Sequence, residues 1–131
     1  MRKWNLAITY QPKAEAVRAG KCRQTIRPVG NGSKKQEGGL ISFHGWAGRP
    51  YHSSWSWRTP YVPLTTAAVI LIYPWGIENP QDSFEHYPWE ELNDLAALDG
   101  IVPPTGEALR DVLFSKNKIP KEGIEAQVLR W

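Results

Sequence analysis

The sequence predicts an α+β fold, a small mixed β barrel of about six short strands with one early helix and two late helices, in a single domain spanning residues 1–131. Three observations predict it. Runs alternating apolar with polar residues, the period of a half-buried strand, recur at 4–10, 21–27 and 125–131. A β-branched apolar run fills 64–73, and helical spacing occurs once early and twice late. Repeating strand–helix–strand units are absent, which argues against a parallel doubly wound sheet.

Each element has its own warrant. Residues 4–10 set Trp4, Leu6, Ile8 and Tyr10 on one face and Asn5, Ala7 and Thr9 on the other. Gln11-Pro12 opens a helix with proline at its first helical position, and 13–19 favour helix until Gly20 stops it. Residues 21–27 return to alternation, with Cys22, Gln24 and Ile26 on one side and Lys21, Arg23, Thr25 and Arg27 on a largely cationic other. Residues 28–39 have loop composition, with Pro28, Gly30, Gly38 and Gly39 around Lys34 and Lys35. A short strand follows at 40–46.

At 53–58, Trp55 and Trp57 alternate with Ser54, Ser56 and Arg58, and Pro60 and Pro63 confine the stretch to a sheet edge or bend. Residues 64–73 belong at the centre of the sheet. Residues 76–88 read as an acidic loop carrying Glu78, Asp82 and Glu85. Leu92, Leu95 and Leu98 space a helix over 90–98 that Asp99-Gly100 ends. Pro103-Pro104 precede another helix, with Thr105 at its N-cap, Leu109, Val112 and Leu113 as its buried stripe, and Lys116 and Lys118 at its C-terminal dipole. Residues 125–131 close the chain as a strand.

Charge is distributed unevenly. The first 60 residues hold 11 Lys and Arg against 2 Asp and Glu, the remaining 71 hold 5 against 11, and the net charge is only +3. An electrostatic argument therefore rests on the asymmetry between halves. The basic part contains the aromatic stretch 44–57. Cations interleaved with rings suit a ligand offering phosphates and flat bases. The candidate nucleic-acid contacts are Arg23 and Arg27 on the strand, and Lys34 and Lys35 in the loop. His44, Trp46, Arg49, Tyr51, Trp55 and Arg58 complete the set from the aromatic stretch. For any one Trp, core packing is the competing role.

Other features restrict the setting. Cys22 is the single cysteine and cannot form an internal disulfide, which fits a reducing, cytoplasmic compartment. Residues 1–10 are too short and polar for a secretory segment and 67–73 too short to span a bilayer, so no membrane partner is expected. His44, His52, Glu85 and His86 fit no common zinc spacing, and there is no Walker or dinucleotide glycine pattern, so neither metal nor cofactor is expected. A monomer is expected, although no sequence feature fixes the oligomeric state.

The block Gly20-Lys21-Cys22-Arg23-Gln24-Thr25-Ile26-Arg27-Pro28 follows a helix. With the strand at 40–46, the Asp99-Gly100-Ile101 turn and the terminal Gln127-Val128-Leu129-Arg130-Trp131, it resembles the ASCH domain, in order and over nearly the whole chain. That family has a PUA-like β-barrel fold. Its signature, G-x-K-x-x-E-x-R, lays Gly20 and Arg27 in register, with Cys22 at the Lys position and Thr25 at the Glu position. Small members that deacetylate 4-acetylcytidine also carry Thr there, as nucleophile beside a Lys and a later acidic residue. The resemblance implies Thr25 as nucleophile, Asp99 as the acid and Lys21, one residue from the usual lysine position, as a substitute base.

Two functions from different classes follow. One is binding of RNA or a modified nucleotide in a basic, aromatic-lined cleft between the 21–27 strand and the aromatic stretch. The other is hydrolysis of an acylated nucleobase, or ribonuclease action, through Thr25 and Lys21. A third expectation is an interaction adaptor, in which the basic face meets an acidic protein.

Overall fold

The computed structural model describes residues 2–30, 34–49, 53–80, 85–114 and 118–131. In chain order these form β1 (Lys3–Ala7), α1 (Gln11–Arg18), β2 (Gln24–Pro28), β3 (Leu40–Trp46), β4 (Trp55–Arg58), β5 (Val62–Pro63) and β6 (Thr66–Tyr73). There follow β7 (Gly76–Asn79), β8 (Glu85–Pro88), a 3₁₀ turn at Trp89–Glu91, α2 (Asn93–Leu98), α3 (Gly106–Leu113) and β9 (Ile124–Arg130). The class is α+β, with the early helix and the late pair as expected.

The strands make two sheets, and neither closes into a barrel among the described residues. In the smaller sheet β3 pairs in parallel with β1 and antiparallel with β4 and β5; the larger runs β2-β9-β6-β7-β8, all antiparallel. The expected central strand, β6, is the middle strand of five. The described residues hold nine strands against the expected six or so, and the surplus comes from two places. β5 is a two-residue pairing of Val62 and Pro63 with β3. β7 and β8 replace the acidic loop expected at 76–88: Ile72 pairs with Ile77 across the Pro74-Trp75 turn, and Ile77 is buried. Glu78 follows the buried Ile77 on β7, so the acidic composition hid a strand.

Alternation along β9 joins the layers. Ala126 and Val128 pack with Ile26, Ile70, Trp89, Leu92, Ala96 and Leu109 under α2 and α3, whereas Leu129 packs with Ile8, Val17, Ile41, Phe43 and Leu64 between the sheets. Helices, larger sheet and smaller sheet thus stack in three layers, with α1 against the inter-sheet core. Burial of Leu129, which is fully enclosed, is worth about 2 kcal/mol or more of apolar transfer.

The start of β2 departs from the sequence expectation in a way that matters for the site. Gly20, at φ +73°, terminates α1, and the amides of Lys21 and Cys22 both donate to the Ala16 carbonyl, at 2.8 and 3.1 Å. The helix C-cap therefore occupies the two residues expected to begin the strand, and strand pairing starts only at Gln24. Lys21 lies outside the strand.

Candidate functional site

A cleft of about 190 Å³ opens where the end of β1, α1, β2, the residue after α2 and the end of α3 meet. Its polar lining is Thr9, Tyr10, Lys13, Thr25, Arg27 and Asp99. Lys13 shares the buried side of α1 with Ala14 and Val17, because positions four apart lie on one helix face. Asp99 caps α2, and Gly100 at φ +74° turns the chain away immediately after it. A Cβ on Gly100 would stand 3.1 Å from the Cys22 sulfur and 3.5 Å from Lys13 Cα, so the glycine lets this turn approach α1 closely.

The centre of the cleft is an ion pair between residues 86 positions apart. Lys13 Nζ donates to Asp99 Oδ2 at 2.8 Å, with side-chain exposures of 8% and 1%. Gln24 Nε2 donates to Asp99 Oδ1 at 3.4 Å, and Arg130 Nε donates to Gln24 Oε1 at 2.9 Å. With its oxygen held by Arg130, the Gln24 amide directs its NH₂ at the carboxylate. Thr25 is buried and its hydroxyl oxygen accepts from Arg27 Nε at 3.3 Å, while Arg27 Nη2 donates to the Ala7 carbonyl.

Burial dominates the protonation energetics of the pair. It pushes Lys13 below the usual lysine value against the raising influence of Asp99, and the charge of Arg27 pushes the same way as burial. Burial raises Asp99 above the usual carboxylate range, opposed by Lys13, Gln24 and Arg27. Both groups move toward their neutral forms, as expected when desolvation outweighs pair attraction. A downward shift favours the neutral amine, the form in which a lysine accepts a proton.

Thr25 and Asp99, two of the three residues implied by the family resemblance, line this cleft. Lys21 does not join them: it is exposed and lines a separate cleft with Arg23, Thr65, Leu98 and Arg130. The lysine beside Asp99 is Lys13. Sequence reasoning missed it, although a lysine four residues before Val17 on an otherwise apolar helix face was a signal.

The other expected residues scatter. Arg23 is exposed and its Nε donates to the Trp131 carbonyl at 2.9 Å. Lys34 pairs with Glu125 at 3.2 Å in a half-exposed bridge. Lys35 exchanges two 2.9 Å hydrogen bonds between its backbone and the buried Gln127 side chain, and burial with the nearby Arg27 charge lowers its ammonium pKa. His44 is buried, stacked on Trp55 at 4.0 Å and edge-on to Trp46 at 5.0 Å. Its Nδ1 has no hydrogen-bond partner among the described residues, and burial followed by the Arg27 and Arg58 charges depresses its pKa. The Arg58 guanidinium lies 5.4 Å from the Trp55 ring centre. Arg49 is exposed and its carbonyl accepts from Ser53 Oγ at 2.8 Å. Tyr51 and His52 lie outside the described residues.

Among the described residues no three His, Cys, Asp or Glu side chains gather to hold a metal ion, and no helix is long and apolar enough to cross a membrane. No family model, no curated protein and no solved structure matches this chain.

Proposed function

We propose that this chain is a PUA-like domain of the ASCH type, a divergent form of that barrel, that binds RNA or a modified nucleotide by taking one base into the Lys13–Asp99 cleft. The observation that carries the reading is the buried Lys13–Asp99 pair in one cleft with Thr25 and Arg27. A base edge presents donors and acceptors side by side, and the cleft answers with ammonium and guanidinium donors, a carboxylate acceptor and a hydroxyl that serves as either. Lys13, Arg27 and Lys35 act electrostatically on one another or on the same groups, with Asp99 as the carboxylate among them, so the region favours a ligand carrying phosphate.

A second reading is favoured by the lowered pKa of Lys13 in the cleft that a buried Thr25 also lines. Neutral Lys13 takes the Thr25 proton as Oγ1 attacks the acyl carbon of an N-acylated base. The C–N bond then breaks, Lys13 returns the proton to the leaving amine, and water hydrolyses the acyl-threonine ester to free acid. Lys13 fills the part that the resemblance assigned to Lys21.

Equilibrium binding and turnover of 4-acetylcytidine separate the two. Lys13→Met and Arg27→Ala are expected to weaken binding by about tenfold or more, since each removes a charge-assisted contact. Thr25→Val is expected to lower turnover by at least about 100-fold, well beyond the roughly several-fold loss of affinity that removal of one neutral hydrogen bond brings. Unchanged turnover in Thr25→Val removes the hydrolase reading; unchanged affinity in both cation variants removes the pocket itself.

A further inference from the structure

The small sheet carries a feature that the cleft does not use. β1, β3, β4 and β5 contain no Asp or Glu, and the chain has none between Glu37 and Glu78. Across this sheet runs an unbroken series of ring contacts. Lys3 Nζ lies 5.2 Å from the Tyr61 ring centre, the Arg58 guanidinium lies 5.7 Å from the same ring and 5.4 Å from that of Trp55, and Trp55 stacks on His44. Tyr61 is fixed by its hydroxyl, which donates to Asn5 Oδ1 at 2.9 Å. Lys3 and Arg58 are exposed, Trp55 is 39% exposed, and neither cation is in an ion pair among the described residues.

The strip ends beside the cleft. His44 pairs in register with Ala7, whose carbonyl accepts from Arg27, and Arg27 lines the pocket with Thr25. Ring stacking alone would brace the edge strand β4, but bracing does not call for a sheet empty of carboxylates. Soluble surfaces ordinarily intersperse both signs. Cations oriented by rings and not neutralised by neighbours suit phosphates spaced along a backbone, and the rings and the guanidinium plane suit unpaired bases.

We propose that this strip is a track for single-stranded RNA, holding the nucleotides that flank the base in the Thr25 cleft, so that the substrate is a base within a strand and not a free nucleoside. The proposal rests on the cleft reading but is tested separately from it. A single-stranded RNA hexanucleotide is expected to bind the wild-type chain at least about tenfold tighter than free 4-acetylcytidine. The Arg58→Ala, Tyr61→Ala double variant is expected to lose about tenfold in hexanucleotide affinity while its affinity for the nucleoside is unchanged. Lys3→Ala, an exposed position that no core cluster includes, keeps the test valid if the double variant does not fold. Its slope of log affinity against log salt is expected to fall by about 0.7. Equal affinity of wild type for hexanucleotide and nucleoside overturns the track, as does displacement of RNA by poly-glutamate or a DNA hexanucleotide at matching concentration. RNA binding that weakens in the strip variants but ignores Lys13→Met supports the track and overturns the cleft reading.

Discussion

A lysine and an aspartate more than nine-tenths buried lose far more solvation than two surface charges, and at Lys13 and Asp99 the loss shows on both partners as shifts toward neutrality. The pair is therefore a poor source of stability yet expensive to break. Lys13→Met leaves the Asp99 carboxylate enclosed with only Gln24, among the described residues, to donate to it, and Asp99→Asn leaves the ammonium without its anion. Each single change is expected to lower unfolding free energy by about 3 kcal/mol, and the double change by no more than either alone. Urea unfolding of the four proteins measures this, and costs that simply add would show that the two groups do not act as a unit. Gln24 is a positioning residue here, since its amide orientation follows from Arg130 and sets the donor facing Asp99.

Among the elements, α3 was the most legible. Thr105 caps it as its composition foretold, its Oγ1 accepting from the Ala108 amide at 3.2 Å, and Leu109 is fully buried. Thr105→Ala is expected to cost about 1 kcal/mol in urea unfolding, because the Ala108 amide loses its partner; no loss would show that the cap is energetically idle. Local chemistry writes such helices, which is why α1 and the late pair could be read from spacing and punctuation. β2 was legible in its core, Thr25 to Arg27, but not at its start, because the backbone demands of the α1 terminus competed with the alternation and took Lys21 and Cys22. β7 failed for the opposite reason: Glu78 and Asn79 disguised a strand held by the inward Ile77. The partnership of Lys13 with Asp99 was beyond reach of any local pattern, since 86 residues separate them and only the packing of α1 against the α2 terminus brings them together.

At the scale of the whole molecule, the charge asymmetry of the sequence becomes a spatial one. The small sheet carries cations and rings without carboxylates, and the described acidic residues from Glu78 to Asp111 sit on β7, β8 and the helical layer, with Glu122 just before β9 and Glu125 at its start. His44 lies on that small sheet, where burial and the charges of Arg27 and Arg58 all oppose its protonation. With a folded pKa below its unfolded value near 6.5, the contribution of His44 to stability is fully present above about pH 6.5. It is lost as pH falls from there toward the depressed folded value, because the unfolded chain then binds the extra proton. A third cation beside Arg27 and Arg58 has no carboxylate on the sheet to meet it. His44→Phe removes the titration while keeping a ring to stack on Trp55. Urea unfolding midpoints of wild type and His44→Phe, compared from pH 8 to pH 5, are expected to show the wild type losing stability relative to the variant as the pH drops below 6.5. A difference that stays constant across that range would mean that His44 protonates as easily in the folded sheet as in the unfolded chain, and that the acid-free face exerts no field at the seam beside the cleft.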